Sequence, residues 1–184
     1  SADIDELVLA NSSMVFVGGL PRLFERMHRA DVDFWGVTRA PLPLPHLQSY
    51  WLVFRRACLR HPAFLRFWRS VLPHADRTAT IAAYEVTLTR WLEQNGLRSS
   101  EAFPSEVLLA NVRWPRPIKS LAARNPSIYL GLELLDAGAP FIKKEIFRPR
   151  LGEQLGLRHE IAARVIATRA SGVLARHGVD LDSA

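Results

Sequence analysis

Short apolar runs alternate along this chain with longer stretches in which apolar residues recur at spacings of three and four. Leu7-Val8-Leu9-Ala10 is a continuous apolar run ending at Asn11-Ser12-Ser13, which predicts a buried strand opening into a polar loop. Gly18-Gly19 then breaks the chain, and Pro21 opens a helix at a position where its missing N–H costs nothing. Leu20, Leu23, Phe24 and Met27 give that helix a single stripe. Residues 33–38 (DFWGVT) read as the next strand. Pro41, Pro43 and Pro45 make residues 39–45 an extended loop, because each proline removes a donor and fixes φ. Gln48 to Arg55 predicts a strand, and Pro62 starts a helix with Phe64, Phe67, Trp68, Val71 and Leu72 on one side.

A further helix is predicted from about Thr80 to Asn95, with Gly96 supplying a left-handed C-terminal turn. Ile81, Leu88 and Leu92 form its stripe, and Glu85 lies on the same face, so a carboxylate points inward. Trp114-Pro115-Arg116-Pro117 reads as a second irregular loop. Asn125-Pro126 opens a helix that Gly138 closes before Pro140, and residues 141–147 form the last predicted strand. Beyond it, Leu157, Ile161, Val165, Ile166, Val173 and Leu174 predict a C-terminal amphipathic helix of about five turns, with Arg158, Arg164, Arg169 and Arg176 on its remaining face. No internal repeat or low-complexity tract interrupts the pattern. Strands and helices in alternation predict an α/β layer fold, with residues 1–150 as the main domain and 151–184 as the helix and tail.

Composition narrows this picture. A chain of 184 residues, 48% hydrophobic and 23% charged, is sized for one domain with a real core, which disfavours disorder, fibrous repeats and disulfide scaffolds. No stretch approaches the roughly 20 apolar residues of a spanning helix, so a soluble or at most peripheral protein is expected. Cys58 alone cannot form an internal disulfide, which fits a reducing compartment. The net charge is +6, and of 24 basic residues only Lys119, Lys143 and Lys144 are lysines, leaving 21 arginines. Arginine's planar fork suits phosphates and carboxylates, although a GC-rich coding sequence produces the same bias. The arginines are dispersed and carry no recognition motif, which ranks nucleic-acid binding last.

The candidate chemistry is sparse. One cysteine and six scattered histidines suggest no zinc site, and neither a phosphate-binding glycine loop nor a Gly-x-Ser-x-Gly elbow occurs. Asp31-Val32-Asp33 places two carboxylates at a spacing that could hold magnesium or manganese on a diphosphate, with a polar turn as the plainer reading. His46-Leu47-Gln48-Ser49-Tyr50 packs hydrogen-bonding side chains beside aromatics, which suits a sugar. Glu85 on an apolar helix face is the candidate general base, since desolvation disfavours its charge; an inward glutamate paired with an arginine is the alternative. Lys143 and Lys144 are expected to alternate across a strand, so that one of them can face a diphosphate.

Taken in order, DELVLANSS at 5–13, DFWGVT at 33–38, HLQSYWLVF at 46–54, Ala63-Phe64 with Phe67-Trp68, Tyr84-Glu85 with Leu88-Thr89, Asn125-Pro126 and Pro140-Phe141-Ile142-Lys143 resemble the rhamnan-synthesis protein F family. These are bacterial polysaccharide-assembling glycosyltransferases, and the likeness covers about residues 5–148. The resemblance implies a GT-A-like sheet flanked by helices and transfer of a sugar, typically rhamnose, from a nucleotide-diphosphate donor to a lipid-linked glycan acceptor at the cytoplasmic membrane face. It implies Glu85 as the base, in-line attack with inversion, and Lys143 with an arginine against the leaving diphosphate. It makes Asn11, Ser12, Ser13, His46, Gln48, Ser49 and Tyr50 substrate-binding candidates. The family's Asn-Asp-Ser pattern is Asn11-Ser12-Ser13 here, without the carboxylate, so a divalent metal is an open question and no tightly bound cofactor is expected. About 80–100 residues of βαβ units, at about 30 residues each, would normally precede Asp5. The chain therefore reads as a piece of a longer parent that is inactive alone, and the alternative function is a non-catalytic glycan-binding or scaffolding module.

Overall fold

The computed structural model describes residues 4–73, 76–110 and 112–147; the expected C-terminal helix lies outside them. In chain order the elements are β1 (Glu6–Ala10), β2 (Met14–Phe16), α1 (Leu20–His28), β3 (Phe34–Gly36), β4 (Arg39–Ala40), β5 (His46–Leu47), β6 (Trp51–Arg55), α2 (Arg56–Arg60) and α3 (Pro62–Arg69). There follow α4 (Arg77–Thr80), a π turn (Ile81–Glu85), α5 (Val86–Gln94), β7 (Ser99–Glu101), α6 (Ser105–Ala110), α7 (Arg116–Arg124), α8 (Pro126–Tyr129), α9 (Gly131–Asp136), β8 (Phe141–Lys143) and a 3₁₀ turn (Lys144–Phe147). The chain divides into two compact units, residues 1–11 with 24–105, and residues 12–23 with 106–184.

The first unit is a mixed α/β layer. Its sheet has the order β1-β6-β3-β7, with β6 antiparallel to both β1 and β3, and β3 parallel to β7. Period-two alternation sends Phe34, Leu52 and Phe54 to one face, where they meet Phe64 and Phe67 of α3 and Leu88 and Leu92 of α5. Phe54 lies between Phe34 and Phe64, with ring centroids 6.1 and 5.1 Å away. Trp35 points to the opposite face and meets Phe24 of α1 edge-on at 5.5 Å. Cys58 is enclosed in the first face's core, and burial pushes its thiol up to about 12, so it is no nucleophile at neutral pH. Arg55 closes the end of α1: its guanidinium donates to the carbonyls of Met27, Ala30 and Val32 at 2.5, 2.7 and 3.0 Å.

The second unit pairs β2 antiparallel with β8, and packs Val15, Leu132, Ile142 and Ile146 together. Gly131 begins α9 where an added Cβ would run into Ile146 Cδ1, so only glycine fits without displacing that side chain.

Several expected boundaries move. The β1 run is not a buried strand: it is the sheet's edge, with Leu7 and Leu9 against the core and Val8 exposed. The strand expected at Gln48 begins at Trp51, because Gln48, Ser49 and Tyr50 form a turn held by side-chain bonds. Trp114-Pro115-Arg116-Pro117 is not wholly a loop: α7 starts at Arg116, since proline is tolerated in a helix's first turn. Residues 144–147 leave the strand for a 3₁₀ turn, so Lys143 and Lys144 do not alternate across it. Among the described residues, no helix is long and apolar enough to cross a membrane.

Candidate functional site

Three segments of the first unit meet at one carboxylate. β4 and β5 pair antiparallel, Arg39 opposite Leu47 and Ala40 opposite His46, and so close the proline loop into a hairpin. The hairpin is fastened below by Thr38, whose carbonyl accepts the Gln48 N–H at 3.0 Å. The Thr38 hydroxyl lies 2.7 Å from Gln48 Oε1 and 3.0 Å from the Tyr50 hydroxyl. An amide oxygen can only accept, so Thr38 donates to Gln48 and accepts from Tyr50. All three side chains are buried, and burial pushes the Tyr50 phenol far above its usual range, which keeps it a neutral donor.

Between these two anchors Ser49 turns outward to Glu85. Its hydroxyl donates to Glu85 Oε2 at 2.7 Å and its N–H to Oε1 at 3.3 Å. His46 Nε2 stands 3.9 Å from the same Oε1, while its Nδ1 lies 2.7 Å from the Leu44 carbonyl. That carbonyl can only accept, so Nδ1 carries a hydrogen and Nε2 is the ring nitrogen facing the carboxylate. The Glu85 side chain keeps 21% of its surface accessible against 6% for His46, so Glu85 is the more exposed of the two.

Glu85 is aimed by an irregular helix. The Val86 N–H donates to the Ile81 carbonyl, five residues back, and the π turn this closes ends at Glu85. One turn later Thr89 accepts the Leu47 N–H at 3.0 Å, so Glu85 and Thr89 together grip residues 46–49. The expected stripe of Ile81, Leu88 and Leu92 is broken accordingly: Leu88 and Leu92 are buried, and Ile81 is exposed on the far side of the π turn. Gly96 does close the helix, with φ +85° and the paired bonds of Gly96 N–H to Glu93 and Leu97 N–H to Leu92.

The remaining candidates sort by unit. Asn11 ends β1, its N–H bonded to the Tyr50 carbonyl at 3.2 Å. Ser12, Ser13 and Lys143 belong to the second unit, Ser13 accepting the Lys144 N–H at 2.9 Å and Lys143 pairing with Met14. Asp31 and Asp33 both engage Arg98: Asp31 through the guanidinium, which holds its carboxyl below the usual range, and Asp33 by accepting the Arg98 N–H at 2.8 Å. Thr38 and Thr89 were not legible as site residues. A polar residue at a strand's end, and another one turn after Glu85, were the available signals.

The chain is 28% identical, over 166 aligned positions, to the virulence protein VirA of Vibrio anguillarum strain ATCC 68554 / 775, and equally to VirA of Vibrio anguillarum. The alignment covers 80% of this chain and 53% of each relative, so the chain spans about half the length of the curated proteins it matches. No solved structure matches it. The family model for rhamnan synthesis protein F matches residues 2–169, and the chain belongs to that family.

Proposed function

We propose that the chain supplies the acid–base part of an inverting glycosyltransferase, which transfers rhamnose from a nucleotide-diphosphate donor to a growing lipid-linked glycan at the inner membrane face. Membership of the rhamnan synthesis protein F family ties the chain to polysaccharide synthesis. The observation that carries the finer reading is the partly exposed Glu85 side chain, bonded twice by Ser49 with His46 Nε2 3.9 Å away. A carboxylate has about four lone-pair sites, and Ser49 occupies two of them. An acceptor hydroxyl at a remaining site gives its proton to Glu85 as its oxygen attacks the anomeric carbon, and the bond to the diphosphate breaks on the opposite side. Gln48 and Tyr50, buried against Thr38, hold the Ser49 turn in place. The GT-A-like assignment of the mixed sheet is part of the same proposal. A divalent cation at Asp31 and Asp33 would compete with Arg98 for both carboxylates, so that pair fits a structural ion bridge and no step is routed through it.

Ser49's double contact also favours the second reading, a non-catalytic glycan-binding module in which Glu85 is a structural anchor. Glu85→Gln in the full-length parent separates the two. Transfer should fall by about 10²–10⁴-fold while calorimetric donor binding is unchanged. Retained turnover removes Glu85 as base.

A further inference from the structure

The second unit contains an open cavity of about 460 Å³, within the range of roughly 300–1,000 Å³ usual for small-ligand sites. α6, the segment after it, and α9 form its walls. Trp114 supplies an indole, and Pro115 and Pro117 stiffen the backbone that follows it. Glu133 and Asp136 stand three residues apart on one face of α9, while Leu132 and Leu134 turn into the core. Val107 and Val112 add apolar wall, and Arg113 adds one guanidinium.

Each wall is suited to a different part of one ligand class. An indole packs on the C–H face of a pyranose, and paired carboxylates accept from neighbouring hydroxyls. The valines fit an apolar edge such as the methyl of a deoxy sugar. We propose that this cavity is a binding site for a saccharide. Its use as the acceptor-glycan site rests on the transferase reading; the binding itself does not.

The five tryptophan indole N–H signals of the whole chain provide the test. Trp114→Phe removes one signal and so assigns it. Titration with methyl α-L-rhamnoside, and with a short α-L-rhamnose oligosaccharide, should shift that signal saturably and leave the others in place. Glu133→Gln combined with Asp136→Asn should weaken the apparent affinity by about fivefold or more, with the unshifted indole signals confirming that the fold is kept. No saturable shift at tens of millimolar probe, or an unchanged affinity in the double variant, overturns the proposal. A Trp114 shift with uridine diphosphate but neither saccharide overturns it as well. Glu85→Gln should leave this titration unchanged, so failure of the proposed base and failure of this site are read separately.

Discussion

The two units put their polar side chains in different places. Among the described residues, the first gathers eleven side chains into a single core cluster against a four-stranded sheet, while the second gathers four beside a two-stranded ladder. In the first, a buried polar network joins the Thr38 side chain to Gln48 and Tyr50, and Thr89 accepts the Leu47 N–H. A large core can keep such a network dry and fixed, and Glu85 inherits that fixity through Ser49. The second unit places Glu133, Asp136, Trp114 and Arg113 around an open cavity. Precision belongs to the one and room to the other.

The contrast can be broken at three points. Phe54→Ala empties the middle of the Phe34–Phe54–Phe64 stack and should cost about 3–5 kcal/mol, measured by urea unfolding. A loss under about 1 kcal/mol would mean that the sheet's interior is not what holds the first unit. Thr89→Val keeps the shape but leaves the buried Leu47 N–H without its acceptor, at about 1–3 kcal/mol. Hydrogen exchange at that amide should accelerate, and unchanged protection would detach α5 from the hairpin. Gly131→Ala sets an overpacking cost of about 1–3 kcal/mol against about 1 kcal/mol gained in helix propensity. Its net effect should be the smallest, and should appear in the exchange of the β2 and β8 amides while β3 and β6 keep their protection.

What the sequence made legible was whatever depends on near neighbours. Pro21 and Pro62 open helices, Gly96 and Gly138 close them with positive φ, and DFWGVT contains the central strand β3. The expectation that Glu85 shares an inward face with Ile81 and Leu88 is met only in part, since Ile81 is exposed and Glu85 is partly exposed beside buried Leu88. The partners of Glu85 were not legible: Ser49 lies 36 residues away, and no local periodicity reports a hydrogen bond that long in sequence. The same long-range bonds bend Gln48–Tyr50 out of the strand that their neighbours' apolar character predicted. The arginine excess, read as anion chemistry, is used in part on the protein itself. Arg55 caps α1, Arg39 joins Glu93 and Glu101, and Arg98 joins Asp31 and Asp33.

The π turn before Glu85 amounts to one residue more than a regular helix would place there. Deleting a single residue from 81–83 would restore ordinary winding and leave the helix upstream close to its present direction relative to α5. The carboxylate, fixed from the C-terminal side by Thr89 and the Leu88–Leu92 face, would keep its place. The acid is therefore addressed by counting back from α5. Insertions and deletions upstream can be absorbed in the helix winding before they reach it.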